Sequence, residues 1–397
     1  MQSVSFTNEQ MTKKTAKKKT TKKKEFSHKS SVDDLIQKEA KGETYGQMDD
    51  NVDIISTGSY RLDKVLGGGF ARGWSKWRGD FESGKTSMAL NWAAQWQNFY
   101  GDDAFVFHFD TEGRVTKERR DASNIDSSPD RYRCELLNTA ETVMDVIRKF
   151  VLDNPFKKKY FFIIDSSDGM IRKDDKPKAF AGKDTPKIGG GAVLSSMFGR
   201  NMSLPMVVGG HHLFICSQVR DQINTNSRKS GKGLGGGNMG RAVGFYSSLM
   251  GELRSSWSNL KIKKGKEKEA EEIGHYCNIL LEKTPNEQTG KQVLVPIKKG
   301  LKGGIWVARE AFDVAEEMGL LSGSSWISMN ELLVDQIKSK YPDFEPKLKL
   351  QGVNQWVEYL ESTPQVVQSI FDYANSFNSA LEELKSNTTN EMEGIEW

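Results

Sequence analysis

The chain predicts an α/β fold built on a mainly parallel sheet. Three observations carry that reading: short apolar runs that each end in a polar residue, helical stretches between them, and a glycine-bounded loop that opens one of the helices. The loop comes first. Gly79-Asp80-Phe81-Glu82-Ser83-Gly84-Lys85-Thr86 fits the pattern G-x-x-x-x-G-K-[ST]. Glycines at both ends let the backbone wrap closely round a phosphate chain, with successive N–H groups and the following helix N-terminus facing the negative charge. Lys85 then reaches the β- and γ-phosphates and Thr86 reaches Mg²⁺. The Pro-free stretch from Ser87 to Trp96 is rich in helix formers and supplies the required continuation. A Gly/Ser turn before an ordinary helix is the alternative, and Trp74-Ser75-Lys76-Trp77, just ahead of the loop, is a poor match to a buried strand.

Three runs read as buried strands: Ala104 to Asp110, Tyr160 to Asp165 and Leu213 to Gln218. Ligands of open α/β sheets sit at the carboxyl ends of strands, so Asp110, Asp165 and Gln218 are expected to face one bound nucleotide. A helix from roughly Ala140 to Leu152, with Val143, Val146, Ile147 and Val151 on one face, supplies a crossover. Asn278 to Lys283 and Gln292 to Lys298, joined by Thr284 to Gly290, read as a β-hairpin. Beyond about Ala311 the chain becomes helical and more polar.

Composition excludes some classes. No apolar run approaches eighteen residues, so no membrane span is expected, and no apolar stretch follows the N-terminal charges as in a signal peptide. Cys134, Cys216 and Cys277 show no ligand or pairing spacing and read as reduced cytosolic thiols. The net charge of +4 is unevenly spread: lysines crowd between Lys13 and Lys24, whereas the last stretch carries Glu382, Glu383, Glu391, Glu393 and Glu396. Such blocks repel themselves and stay unfolded. The basic arm reads equally as a solubilising tail or as a phosphate-backbone contact.

Asp165 is the natural second anchor for a Mg²⁺ shell, and Glu112, two residues beyond its strand, is placed to accept a proton from an attacking water. Their bland counterparts are a strand-end cap and an exposed loop acid. Gln218 is placed to hydrogen-bond a γ-phosphate. The loop after it carries Arg220, Arg228, Lys229, Lys232 and Arg241 among glycines that include Gly236 and Gly237, a composition suited to a sugar-phosphate chain. Without a polynucleotide it is a polar surface loop. An earlier loop with Arg172, Lys173 and Lys176 is similar but diluted by aspartates. His211 and His212 belong to no metal constellation and read as structural.

Taken in order, Ile55-Ser56-Thr57-Gly58-Ser59, Leu62-Asp63, Leu66-Gly67, the Gly79–Thr86 loop, Asp110-Thr111-Glu112, the Asp165 strand, Ser217-Gln218, Gly236-Gly237-Asn238 and Phe245-Tyr246-Ser247 resemble a RecA-family recombinase, of the bacteriophage (UvsX-like) kind. The resemblance runs from about Asp50 to Ala311, more weakly to Trp356, Leu360 and Pro364. It implies a RecA-like P-loop ATPase core over 50–311, preceded by a disordered basic arm (1–30) and an oligomerisation segment (31–49). A small C-terminal domain (312–380) and an acidic tail (381–397) would follow.

The same resemblance implies ATP and Mg²⁺ as cofactors, with nucleotide contacts from Gly79 through Ser87 and Thr86 and Asp165 at the metal. Glu112 would be the catalytic base, assisted by Lys85, and Gln218 would couple the γ-phosphate to the second loop. Both loops, including Asn238, would line a filament axis and hold single-stranded DNA. Arg119 falls where an adenine-stacking tyrosine sits in bacterial members, and its guanidinium can stack instead. Lys283 matches a lysine that reaches a neighbour's ATP, whereas that family's second lysine is Pro285 here. The implied activity is ATP-dependent pairing and strand exchange with homologous duplex DNA. It would take place in the cytoplasm, at a nucleoid or in a phage-infected cell, with single-strand-binding and loader proteins as accessory partners and no membrane. A ring-forming DNA helicase and a slow ATPase scaffold are the alternatives.

Overall fold

The computed structural model describes Lys38 and residues 51–80, 82–175, 190–219, 242–255, 261–265, 270–300 and 304–393. All but Lys38 belong to the unit that contacts define over Asp49–Trp397. The basic arm, the oligomerisation segment apart from Lys38, and most of both polar loops lie outside the described residues.

Helix α1 (Tyr60–Leu66) precedes strand β1 (Gly73–Gly79), which leads through the glycine-bounded loop into α2 (Lys85–Tyr100). There follow β2 (Ala104–Asp110), α3 (Lys117–Ala122), β3 (Tyr132–Glu135), α4 (Ala140–Asp153), β4 (Lys159–Asp165), α5 (Gly190–Val208) and β5 (His212–Gln218). After α6 (Ala242–Tyr246) come β6 (Leu249–Ser255), β7 (Lys261–Lys264), β8 (Glu271–Lys283), β9 (Gln292–Lys298) and β10 (Gly304–Ile305). These strands form one sheet in the order β10-β9-β8-β6-β1-β5-β4-β2-β3, with β7 also on β8. From β6 to β3 every pairing is parallel. From β6 outward through β8, β9 and β10 the pairings are antiparallel.

The three expected strands are present, each beginning at or one residue before the predicted position, and the crossover helix extends one residue past Leu152. The β8–β9 hairpin is present too, with β8 thirteen residues long rather than six. Continuous apolar runs are required because both faces of the parallel strands are covered. Phe161, Phe214 and Trp77 pack with Trp92 and Trp96 of α2 on one face. Phe162, Leu213 and Ile215 pack with Val143 and Ile147 of α4 and Met202 of α5 on the other.

Strand β1 corrects the reading of Trp74–Trp77, because the segment is a buried central strand between β5 and β6. Trp74 and Trp77 project to opposite faces, into the two clusters. The polar residues between them are accommodated individually. Ser75 Oγ lies 2.9 Å from His212 Nε2. Lys76 is 6% exposed, and burial lowers its pKa against the opposing attraction of Asp168.

Beyond the sheet lie α7 (Val307–Glu317), β11 (Leu321–Gly323), β12 (Trp326–Met329), α8 (Glu331–Lys340), β13 (Lys349–Gln351), α9 (Gly352–Ser362) and α10 (Pro364–Glu393). The helices match the expected helical tail. A three-stranded antiparallel sheet of β11, β12 and β13 accompanies them, from strands of three or four residues that carry little periodicity. A separate hydrophobic cluster around Phe312, Leu333, Trp356, Leu360 and Ile370 holds this part together.

One buried carboxylate ties α7 to α1. Glu310, 0% exposed, accepts hydrogen bonds from Ser59 Oγ at 2.6 Å, Tyr60 N–H at 3.0 Å and Arg61 N–H at 3.1 Å, and so satisfies orphan donors at the N-terminus of α1. Burial raises its pKa to about 7, the three hydrogen bonds and Arg61 acting in the opposite direction. The folded state therefore binds this proton more tightly than the unfolded state. Its contribution favours folding below the unfolded value of 4.5 and is lost progressively as pH rises through about 7. Chemical denaturation of wild type and Glu310→Gln across pH 4.5–7.5 is expected to show the wild type losing roughly 3 kcal/mol relative to the variant as pH rises. A pH-independent difference would assign the carboxylate no titration in this range.

Candidate functional site

The carboxyl ends of β1, β5, β4 and β2 meet beside the glycine-bounded loop. Register pairs Gly79 with Gln218 and Asp110 with Asp165, so residues far apart in sequence end on one edge. The loop conformation is set by its glycines. Gly84 has φ 96°, and a Cβ at Gly79 would lie 2.4 Å from Ser83 Oγ and 2.6 Å from the Leu253 carbonyl oxygen. Lys85 Nζ folds back to the carbonyl oxygens of Gly79 and Asp80, each at 2.8 Å, and lies 3.4 Å from Ser83 Oγ. Asp80 and Ser83 take part in this cradle, and Glu82 holds a φ of 53° within the loop, whereas Phe81 lies outside the described residues.

Thr86 Oγ1 donates to Asp165 Oδ2 at 2.6 Å. A hydroxyl and a carboxylate at that separation form a hard-oxygen pair, which fits Mg²⁺ and its preference for few protein ligands. His108, fully buried on β2, lies behind the pair with Nε2 4.0 Å from Asp165 Oδ2 and Nδ1 2.8 Å from Tyr132 Oη. Burial lowers its pKa, with Asp165 and then Asp110 pulling the other way. Among the described residues no group of three or more His, Cys, Asp or Glu is arranged to hold a metal ion. His212 instead bonds the Ala71 carbonyl oxygen at 2.7 Å, and burial holds its pKa down at about 4.

Glu112 stands near this pair with its carboxylate held by three neighbours. Ser166 Oγ donates to Oε1 at 2.8 Å, Gln218 Nε2 donates to Oε1 at 3.0 Å, and Arg114 Nη1 lies 3.1 Å from Oε2. Gln218 is further fixed by its backbone N–H, which donates to Asp168 Oδ2 at 2.7 Å. Asp110 departs from the expected role: its carboxylate accepts the backbone N–H groups of Glu112, Gly113 and Val115 at 3.1, 2.7 and 2.9 Å. It shapes the loop that carries Glu112 rather than facing a ligand. Arg114, Ser166 and Asp168 escaped sequence reasoning, because each becomes significant only when the loop after β2 closes against the ends of β4 and β5.

Of the other predicted residues, Arg119 Nη2 reaches Ser87 Oγ at 3.4 Å, so α3 brings it to the start of α2. Lys283 Nζ donates to the carbonyl oxygens of Gly244 and Phe245, each at 3.2 Å, within its own chain. Arg172 pairs with Asp174 at 3.3 Å, and Lys173 N–H donates to Glu141 Oε2 at 2.8 Å. Lys176, Arg220, Arg228, Lys229, Lys232, Gly236, Gly237, Asn238 and Arg241 lie outside the described residues.

Beneath the end of β1, Arg78 is paired with both Glu252 and Glu282, and Arg254 also bonds Glu252. This network fastens β1 to β6 and β8, so the loop that follows β1 starts from a fixed point. No helix among the described residues is long and apolar enough to cross a membrane.

No family model matches the chain. It is similar to RecA proteins, at 25% identity over 334 residues to that of Nitratidesulfovibrio vulgaris, covering 83% of this chain and 87% of the relative. The RecA of Trichormus variabilis is 26% identical over 329 residues, covering 80% of this chain and 79% of its own. That of Symbiobacterium thermophilum is 25% identical over 303 residues, covering 74% and 79%. The mainly parallel sheet agrees with this distant similarity, and the fold is a RecA-like α/β core.

Proposed function

We propose that the protein is an ATP-dependent DNA recombinase of the RecA type, which assembles on single-stranded DNA and promotes pairing and strand exchange with a homologous duplex. The observation that supports this most is the convergence of Lys85, Thr86, Asp165, Glu112 and Gln218 on one sheet edge. A P-loop lysine, a hard-oxygen pair, a carboxylate and an amide are the parts that triphosphate hydrolysis requires. Backbone N–H groups of residues 79–86 and the N-terminus of α2 receive the phosphates. Lys85 leaves the carbonyls of Gly79 and Asp80 for the phosphate chain. Thr86 and Asp165 would hold Mg²⁺, which when bound neutralises phosphate charge. Glu112 takes the proton of the attacking water.

Gln218 ends β5 and leads directly into the cationic, glycine-rich segment with Arg220, Arg228, Lys229, Lys232, Arg241 and Asn238. A γ-phosphate that captures the Gln218 amide therefore pulls on the segment proposed to hold DNA, so nucleotide state and DNA affinity are linked. Arg172, Lys173 and Lys176 belong to the companion segment. The proposed core spans 50–311, with a C-terminal domain at 312–380. The bacteriophage kinship, filament assembly, the trans role of Lys283 and stacking by Arg119 belong to the same proposal.

Electron microscopy of the protein with single-stranded DNA and a non-hydrolysable ATP analogue is expected to show continuous helical filaments, absent without nucleotide. Closed rings that unwind duplexes without pairing homologues would instead favour a helicase.

A further inference from the structure

The carboxylate proposed to activate water is bound on three sides. Ser166 Oγ and the Gln218 amide occupy Oε1 at 2.8 and 3.0 Å, and the Arg114 guanidinium sits 3.1 Å from Oε2. A carboxylate offers about four lone-pair positions, and those engaged by donors are not free to receive a proton from water. The Glu112 side chain is itself only 21% exposed, so water has a narrow approach to what remains.

The three donors differ in how they can be released. Ser166 follows directly on Asp165 and also bonds Thr111 through its backbone, its N–H donating to Thr111 Oγ1 at 2.9 Å and its carbonyl oxygen accepting from Thr111 Oγ1 at 2.8 Å, so it stays with the strand end. Gln218 gives Oε1 one of the two N–H groups of its amide, and a seated γ-phosphate that draws the amide toward itself pulls it away from Glu112. Arg114 is 68% exposed and comes from the loop itself. Its position is prepared: Asp110 pins the backbone N–H groups on both sides of it, and Gly113 at φ 70° turns the chain so that residue 114 faces back to residue 112.

We propose that Arg114 is a positioning residue that, with Ser166 and Gln218, restrains Glu112, so that the base is released stepwise and turnover in the absence of DNA stays low. The inference rests on the proposed role of Glu112 as base. The triphosphate removes the Gln218 contact, and Arg114 remains as the restraint that nucleotide alone does not lift. An exposed ion pair of this kind changes an equilibrium by at most about fivefold, which bounds the effect.

The test is steady-state ATP hydrolysis without DNA by the full chain, its Arg114→Ala and Arg114→Lys variants, and Arg114→Ala in a Glu112→Gln background, each checked by thermal melting. The expected result is a rise of about threefold to fivefold in kcat for Arg114→Ala with KM for ATP within about twofold, a return toward wild type in Arg114→Lys, and no effect of Arg114→Ala when residue 112 is glutamine. An Arg114→Ala kcat equal to or below wild type, at an unchanged melting temperature, would overturn the restraint. So would an equal rise in the Glu112→Gln background, since Arg114 would then act on something else. Absence of any Lys85-dependent hydrolysis in the wild type would instead remove the nucleotide reading on which the inference stands.

Discussion

Replacing Lys85 with alanine is expected to cut ATP turnover by about a thousandfold, as loss of a charge aimed at the transition state does, while the protein still folds. The amino group contributes to the resting structure only by bonding the Gly79 and Asp80 carbonyl oxygens and approaching Ser83. Alanine is a good helix former at the first position of α2, and no core cluster includes Lys85. The change in stability should accordingly stay within about 0.5 kcal/mol, as for other substitutions away from the core. Phosphate release alongside a thermal melt checks both halves. Undiminished hydrolysis by the folded variant would remove the nucleotide site.

Glu112→Gln is expected to keep ATP binding and slow hydrolysis by at least about a hundredfold, the usual cost of losing a positioned general base. The substitution preserves size and leaves an amide oxygen to accept from Ser166 and Gln218, so the loop should hold its shape. It removes the ion pair with Arg114 and the capacity to take a proton from water. Binding of a fluorescent ATP analogue together with single-turnover hydrolysis separates these effects. A normal hydrolytic rate would pass the base role to another residue.

The strands that carry Asp110, Asp165 and Gln218 were readable because parallel strands buried on both faces must be apolar throughout and stop being so where they reach the ligand edge. Strand β1 was not, since Trp74-Ser75-Lys76-Trp77 hides its burial behind partners such as His212 that only the folded sheet supplies. The small sheet of β11, β12 and β13 is too short to leave a period in the sequence. At the candidate site, the loop pattern singles out Lys85 and Thr86, and the strand ends single out Asp165 and Gln218, which the fold brings to one edge. The direct bond from Gln218 to Glu112 joins residues 106 apart, and the Ser166 bond joins residues 54 apart, so neither leaves a local pattern. Asp110 was misread for the same reason, because its three backbone donors become visible only when the loop after β2 has a shape.

The charge network under β1 adds a structural element that composition cannot announce. Arg78, Glu252 and Glu282 come from three strands and are brought together by register alone. Removing Arg78 would take from the largely buried Glu282 the cation it pairs with, which is costlier than losing an exposed pair. Its position at the end of β1 fixes the point from which the glycine-bounded loop starts.

The proposed coupling between nucleotide and DNA is tested most directly by the affinity of a fluorescent single-stranded oligonucleotide, titrated at fixed salt without nucleotide and with a saturating non-hydrolysable ATP analogue plus Mg²⁺. Binding at least about fivefold tighter with the analogue is predicted, the lower end of ordinary allosteric coupling, and Gln218→Ala should erase the difference. Equal affinities in the two conditions for the wild-type protein would contradict it.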